Sequence, residues 1–184
     1  MKKLKLFSLL LIVIISANAQ ITKGNWMMGG TGNFNSYKYI YVVDTQRINH
    51  LTITPNIGYF FANKIAIGSY VSYGFDDYKG NNAIKYSHYA IGPFFRYYFL
   101  KPENKINFLA QVNYGYEEGK ANNNRGGKYH NNGYGIKAGS AIFFNSSVAL
   151  ELTIDYNSTK INSTSDVHLF QVGLGFQIHL EKEK

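Results

Sequence analysis

Between Val148 and Tyr156 the chain reads VALELTIDY, in which Val148, Leu150, Leu152, Ile154 and Tyr156 are apolar and Ala149, Glu151, Thr153 and Asp155 are small, polar or acidic. A period of two places these sets on opposite faces of a β-strand. The same patterning recurs about eight times along the chain. Its polar faces carry few charges, with Arg96, Glu117, Lys137, Glu151 and Asp155 the clear ones, whereas a solvated surface normally holds ~25 to 35% charged residues. No charge interrupts the apolar faces, where Arg or Lys at mid-membrane would cost ~2 to 4 kcal/mol. The apolar set is therefore expected to face lipid and the polar set to face the inside of a closed sheet. That is an all-β, eight-stranded, antiparallel up-and-down transmembrane barrel.

Alternation assigns strands to residues 25–37, 50–60, 64–75, 86–99, 106–117, 134–144, 148–156 and 167–180. The connections alternate between polar loops at 38–49, 76–85, 118–133 and 157–166 and tight turns at 61–63, 100–105 and 145–147. An even strand count with this long-short rhythm puts both chain ends on the short-turn, periplasmic side. Tyr73, Phe75, Tyr114, Tyr116, Tyr134 and Tyr156 lie near the long loops, and Tyr59, Tyr97, Phe99 and Phe176 lie nearer the short turns. These are expected to form two interfacial girdles. Pro55 and Pro93 fall within strands, where loss of a ladder donor predicts local bulges.

The first twenty residues, MKKLKLFSLLLIVIISANAQ, combine a basic start, an apolar run and the small-x-small site Ala17-Asn18-Ala19. This reads as a cleavable secretory signal over residues 1–19, with the barrel domain spanning 20–184. The apolar run is shorter than the ~20 residues a membrane helix needs. Cleavage would remove Lys2, Lys3 and Lys5 from the formal charge of +8. The remaining basic residues are scattered through turns and loops and give no stripe for a nucleic-acid backbone. With no cysteine in the chain, neither a disulfide nor a thiolate metal site can staple the fold.

TPNIGYFF at residues 54–61, IAIGSYVSYG at 65–74 and IGPFFRYYF at 91–99 resemble the small outer-membrane β-barrel proteins common in the Bacteroidota, related in architecture to barrels of the OmpA and OmpX type. The resemblance covers essentially the whole mature chain. It implies an outer-membrane barrel, and it implies no shared chemistry.

A barrel of eight strands is just wide enough for side chains to fill. Inward Gly68, Gly92, Gly115, Gly135, Gly139, Gly173 and Gly175 are expected to make room for Tyr70, Phe94, Arg96, Tyr98 and Phe143, giving a packed lumen. A hairpin turning at 145–147 would pair Ala141 with Glu151, Gly139 with Thr153 and Lys137 with Asp155. Arg96 is expected to reach Glu151 across the lumen. We read Arg96, Glu117, Lys137, Glu151 and Asp155 as a structural charge network, because a buried charge needs a partner; a proton or ion path is the functional alternative.

The Asn- and Gly-rich segment 118–133 is expected to be an exposed contact loop presenting Lys120, Arg125, Lys128, Tyr129 and His130. Surface sugar, lipopolysaccharide phosphate or a protein partner in an outer-membrane complex would be its targets, with outer-membrane lipid around the barrel itself. No catalytic, cofactor or metal site is expected. The lipid A deacylases resemble one another in a lipid-facing His two residues from a Ser, and the nearest arrangement here is His50-Leu51-Thr52, on the inner face. Gly173-Leu174-Gly175 lies within a strand and makes no phosphate loop. The role expected is non-catalytic, in membrane integrity, adhesion or assembly. A lipid-modifying enzyme, a narrow channel and a soluble lipocalin-like ligand-binding barrel are the alternatives.

Overall fold

The computed structural model describes residues 21–40, 45–79, 84–121, 128–162 and 165–180. The proposed signal and Arg125 lie outside them. Eight strands form one closed antiparallel barrel in chain order: β1 (Trp26–Ile40), β2 (Thr45–Ala62), β3 (Ile65–Lys79), β4 (Ile84–Tyr98), β5 (Ile106–Ala121), β6 (Lys128–Phe143), β7 (Val148–Asn162) and β8 (Ser165–Leu180). Side-chain exposure follows the alternation that defined the strands. Met27, Ala66, Arg96, Ala149 and Glu151 are fully buried inside, while Trp26, Ile67, Phe95, Leu152 and Phe176 project outward. The barrel is thus turned apolar side out, the reverse of a soluble lipocalin-like barrel.

The strands are longer than the alternation indicated. They run 15 to 18 residues, against the ~9–11 that cross a bilayer. Most of the four expected loops is strand: β1 continues to Ile40, β3 to Lys79, β5 to Ala121 and β7 to Asn162. Hydrophobic alternation marks only the part of a strand that meets lipid. Above the upper aromatic belt both faces meet water, so the ladder continues without an apolar signature.

The expected bulges at proline are absent. Pro55 pairs with Gly30 on β1 and Pro93 with Ser69 on β3. On their other sides the β2–β3 and β4–β5 ladders skip these positions and resume in the same register. Each proline sits with its missing N–H toward the interrupted side, which costs a rung and leaves the register unchanged. The register shifts instead near strand ends, between Phe60 and Ala62 and between Lys160 and Asn162.

β1 and β8 close the barrel at its short-turn end. Their ladder starts at Trp26–Leu180 and ends at Gly32–Leu174. Above that point Asn33 to Ile40 pair with β2, and residues 165–173 pair with β7.

Candidate functional site

The lumen divides into a sealed floor and an open cup. At the floor, Arg96 on β4 and Glu151 on β7 are fully buried. Arg96 Nη1 donates to Glu151 Oε1 at 2.7 Å and to Tyr98 Oη at 3.1 Å, and its Nε donates to Gln111 Oε1 at 2.8 Å. The Arg96 guanidinium also lies 5.7 Å from the Phe94 ring centre and 5.9 Å from that of Tyr98. Beneath it, His179 packs against Phe60, Tyr98 and Phe143 with ring centres 5.4 to 6.4 Å apart. The chain before β1 helps close this end: buried Ile21 accepts a 2.7 Å hydrogen bond from Lys64 N, and Gly24 N donates to Phe60 O at 2.8 Å.

Glycines permit this packing by close approach. A Cβ on Gly68 would strike the Phe94 ring, and one on Gly92 would strike the Tyr114 carbonyl. Arg96, Gln111, Lys137, Asp155 and Gln171 are successive ladder partners across β4 to β8, forming one polar row that climbs the inner wall. Within it Lys137 Nζ lies 3.6 Å from Asp155 Oδ2. Lys137 also donates to Thr31 Oγ1, and Asn33 Nδ2 donates to Asp155 Oδ2, each at 3.4 Å. Two of the expected network's pairs are therefore in contact. Glu117 stands apart from both, higher on β5.

Above this row the expected packed lumen gives way to a cavity of about 600 Å³. Arg96 fills the lumen below, whereas above it Asn, Thr and Gly positions between Tyr70, Tyr78 and Tyr129 leave space unfilled. Glu117 lines this cup. Its most ordered group is one that alternation alone did not assemble. His50 and Asp76 are ladder partners on β2 and β3, with His50 Nδ1 2.6 Å from Asp76 Oδ1 and His50 Nε2 2.8 Å from Thr52 Oγ1. His88 stacks on His50 at 5.6 Å between ring centres and places Nδ1 3.7 Å from Asp76 Oδ2. The His88 ring occupies the space a side chain on Gly74 would need. Hydrophobic alternation places Asp76 in the loop 76–85, whereas it lies on β3. The signal available was its parity, since it continues the inward set Ser72 and Gly74 and falls opposite His50.

The expected contact loop is corrected in the same way. Lys120 and Lys128 are exposed cross-strand partners on β5 and β6 rather than loop residues. His130 is exposed and stacks on Tyr116, with Nδ1 2.6 Å from the Tyr116 hydroxyl. Tyr129 does not present itself outward. It turns into the mouth of the cup over Gly119, whose missing side chain leaves room for the ring. Burial first, then the Glu117 and Asp76 carboxylates, push the Tyr129 phenol above the ordinary tyrosine range. Among the described residues no group of three or more His, Cys, Asp or Glu side chains is arranged to hold a metal ion.

A lipid-facing apolar band around a closed polar interior defines an integral outer-membrane β-barrel. The chain belongs to the outer membrane protein beta-barrel domain family, whose model matches residues 6–177. Among solved structures it resembles Neisserial surface protein A at 14% identity and a TM-score of 0.61, covering 85% of this chain and 97% of that one. It also resembles the outer membrane protein OprG of Pseudomonas aeruginosa at 10% identity and a TM-score of 0.58, covering 89% and 99%. The attachment invasion locus protein Ail of Yersinia pestis, solved with the heparin analogue sucrose octasulfate, matches at 12% identity and a TM-score of 0.51, covering 86% and 100%. At these identities the likeness is one of fold. No curated protein matches the chain in sequence.

Proposed function

We propose that this barrel is a non-catalytic element of the outer membrane that works through the surfaces it presents, in membrane integrity, surface adhesion or as a subunit of an outer-membrane assembly. The observation that carries this reading is the floor. Arg96, Tyr98 and Glu151 are all fully buried and hydrogen-bonded across the lumen, which, among the described residues, blocks an axial path. Its contacts with the outside are then made at the projecting hairpins. Exposed Lys120 and Lys128 lie side by side there; Lys128 is 3.6 Å from Glu118 Oε1, so Lys120 chiefly offers the positive charge suited to lipopolysaccharide phosphate or to an acidic patch on a protein partner.

Purified protein in a planar bilayer tests the reading. Wild type should show no stable conductance, and a reproducible open state would support the channel instead. A paired Lys120→Glu, Lys128→Glu variant should retain the barrel yet copurify with less lipopolysaccharide or partner; unchanged copurification would remove this hairpin from the contact surface.

A further inference from the structure

The β1–β8 seam is paired over only part of its length. Continuing the β1–β8 register beyond Gly32–Leu174 would bring Phe34 opposite Val172 and Asn33 opposite Gly173. Instead both strands run on with an edge unpaired toward the other, through Asn33 to Ile40 on β1 and through residues 165–173 on β8. The outward side chains bordering this gap are among the barrel's most exposed large apolar residues: Phe34 at 66%, Val172 at 64% and Phe170 at 72%. Gly32 and Leu174 are each six residues from the short-turn ends of their ladder, Trp26 and Leu180. The Asn33 amide still lies beside Gly173 and reaches Asp155, so the gap opens from Phe34 and Val172 upward, near the top of the ~9–11 residues that a span takes.

The path inward changes character step by step. Phe34, Phe170 and Val172 are the jambs, inward Leu169 and Val167 form an apolar sill, and the cup behind them is walled by Asn, Thr and Tyr side chains. Asn56 Oδ1 and Asn131 Oδ1, on cup-lining residues, are buried without a hydrogen-bond partner, as is Gln171 Nε2 beside the gap. Around the cup Asp76, Glu117 and Asp155 outnumber Lys137 as fixed charges, which disfavours an anionic guest. We propose that the slot between the upper halves of β1 and β8 admits a single-chain, uncharged amphiphile from the outer leaflet. Its hydroxyl- or amide-bearing head enters the cup and its hydrocarbon chain lies between Phe34 and Val172.

The absence of cysteine from the chain makes the test clean. The full protein is reconstituted in nanodiscs and exposed to a non-ionic alkyl glucoside bearing a photoactivatable diazirine in its chain. Label should concentrate on residues 33–35 and 167–173 and should exceed that from the matched alkyl carboxylate. Bridging a Phe34→Cys, Val172→Cys pair with a short bismaleimide should lower labelling at least tenfold. Bridging Met28→Cys, Ile178→Cys, ladder partners in the closed part of the seam, should not. Leu169→Asp, which leaves the seam unbridged, should weaken labelling by itself. Every variant is first checked for the heat-modifiable band of a folded barrel. Spontaneous disulfide formation at 34/172 as fast as at 28/178 would show a closed seam and overturn the proposal. So would label spread evenly over the lipid-facing surface regardless of the bridge, or equal labelling by the carboxylate.

Discussion

Arg96 shows how much one buried side chain decides here. Removing Glu151 alone strands a guanidinium inside the barrel. Glu151→Leu should therefore cost ~3–5 kcal/mol, while the double variant Arg96→Met, Glu151→Leu should recover most of that loss. Urea unfolding in lipid vesicles would read both, and a double variant as unstable as the single one would contradict the pairing. Lys137 and Asp155 are farther apart, at 3.6 Å, and both have additional long contacts. A cycle of Lys137→Met and Asp155→Leu should give a smaller but measurable coupling, within the ~0.5–3 kcal/mol of neighbours in one network. These side chains were legible in the sequence because each is a lone charge at an inward position of a strongly alternating strand. Asp76 was not, because Asp76-Asp77 with the polar residues after it reads as a loop wherever apolar partners are missing.

Strands and hairpins carry the next set of consequences. Eight strands, their order and their facing were readable because the lipid imposes an apolar residue at every second position, whereas strand ends were not, because water imposes nothing comparable. Glycines expose the same division. Gly92 sits where a Cβ would meet the Tyr114 carbonyl, while Gly32 has open space around it. Gly92→Ala should destabilise the folded barrel by ~1–3 kcal/mol, the usual cost of overpacking, and Gly32→Ala should be close to neutral; equal effects in unfolding titrations would show that the β4–β5 approach is slack. The projecting β5–β6 hairpin should respond to pH. Hydrogen bonding from Tyr89 first, then the charges of Lys128 and His130, hold the Glu118 carboxyl below its ordinary range. A carboxyl lowered on folding stabilises above its unfolded pKa, and that contribution is lost as pH falls through the folded pKa. Protection factors in Glu118 to Ala121, with the intrinsic pH dependence of exchange divided out, should fall on acidification, less so in high salt, and Glu118→Gln should abolish that acid dependence.

For the whole molecule, the lumen departs most from what the sequence suggested. Width arguments for eight strands predict a lumen filled from end to end, and the lower half obeys: Arg96, Phe94, Tyr98 and Phe143 are buried there, Phe94 in the space left by Gly58 and Gly68. In the upper half the inward residues are mostly Asn, Thr, Ser and Gly, and their summed bulk leaves the cup open. The incomplete β1–β8 seam was equally hidden, because a sequence pattern reports which face a residue takes and not which neighbour its backbone finds. The barrel thus has a floor sealed at its short-turn end beneath a cup that opens between the long hairpins. Single cysteines in this cysteine-free chain test it most directly, by labelling intact cells with a membrane-impermeant maleimide. Ser72→Cys, in the cup wall, should label, and Ala66→Cys, fully buried beside Arg96 on the floor, should remain unlabelled until the protein is unfolded. Equal labelling at both positions would mean that the lumen is open along its length, and no labelling at either would mean that the cup is closed to the surface.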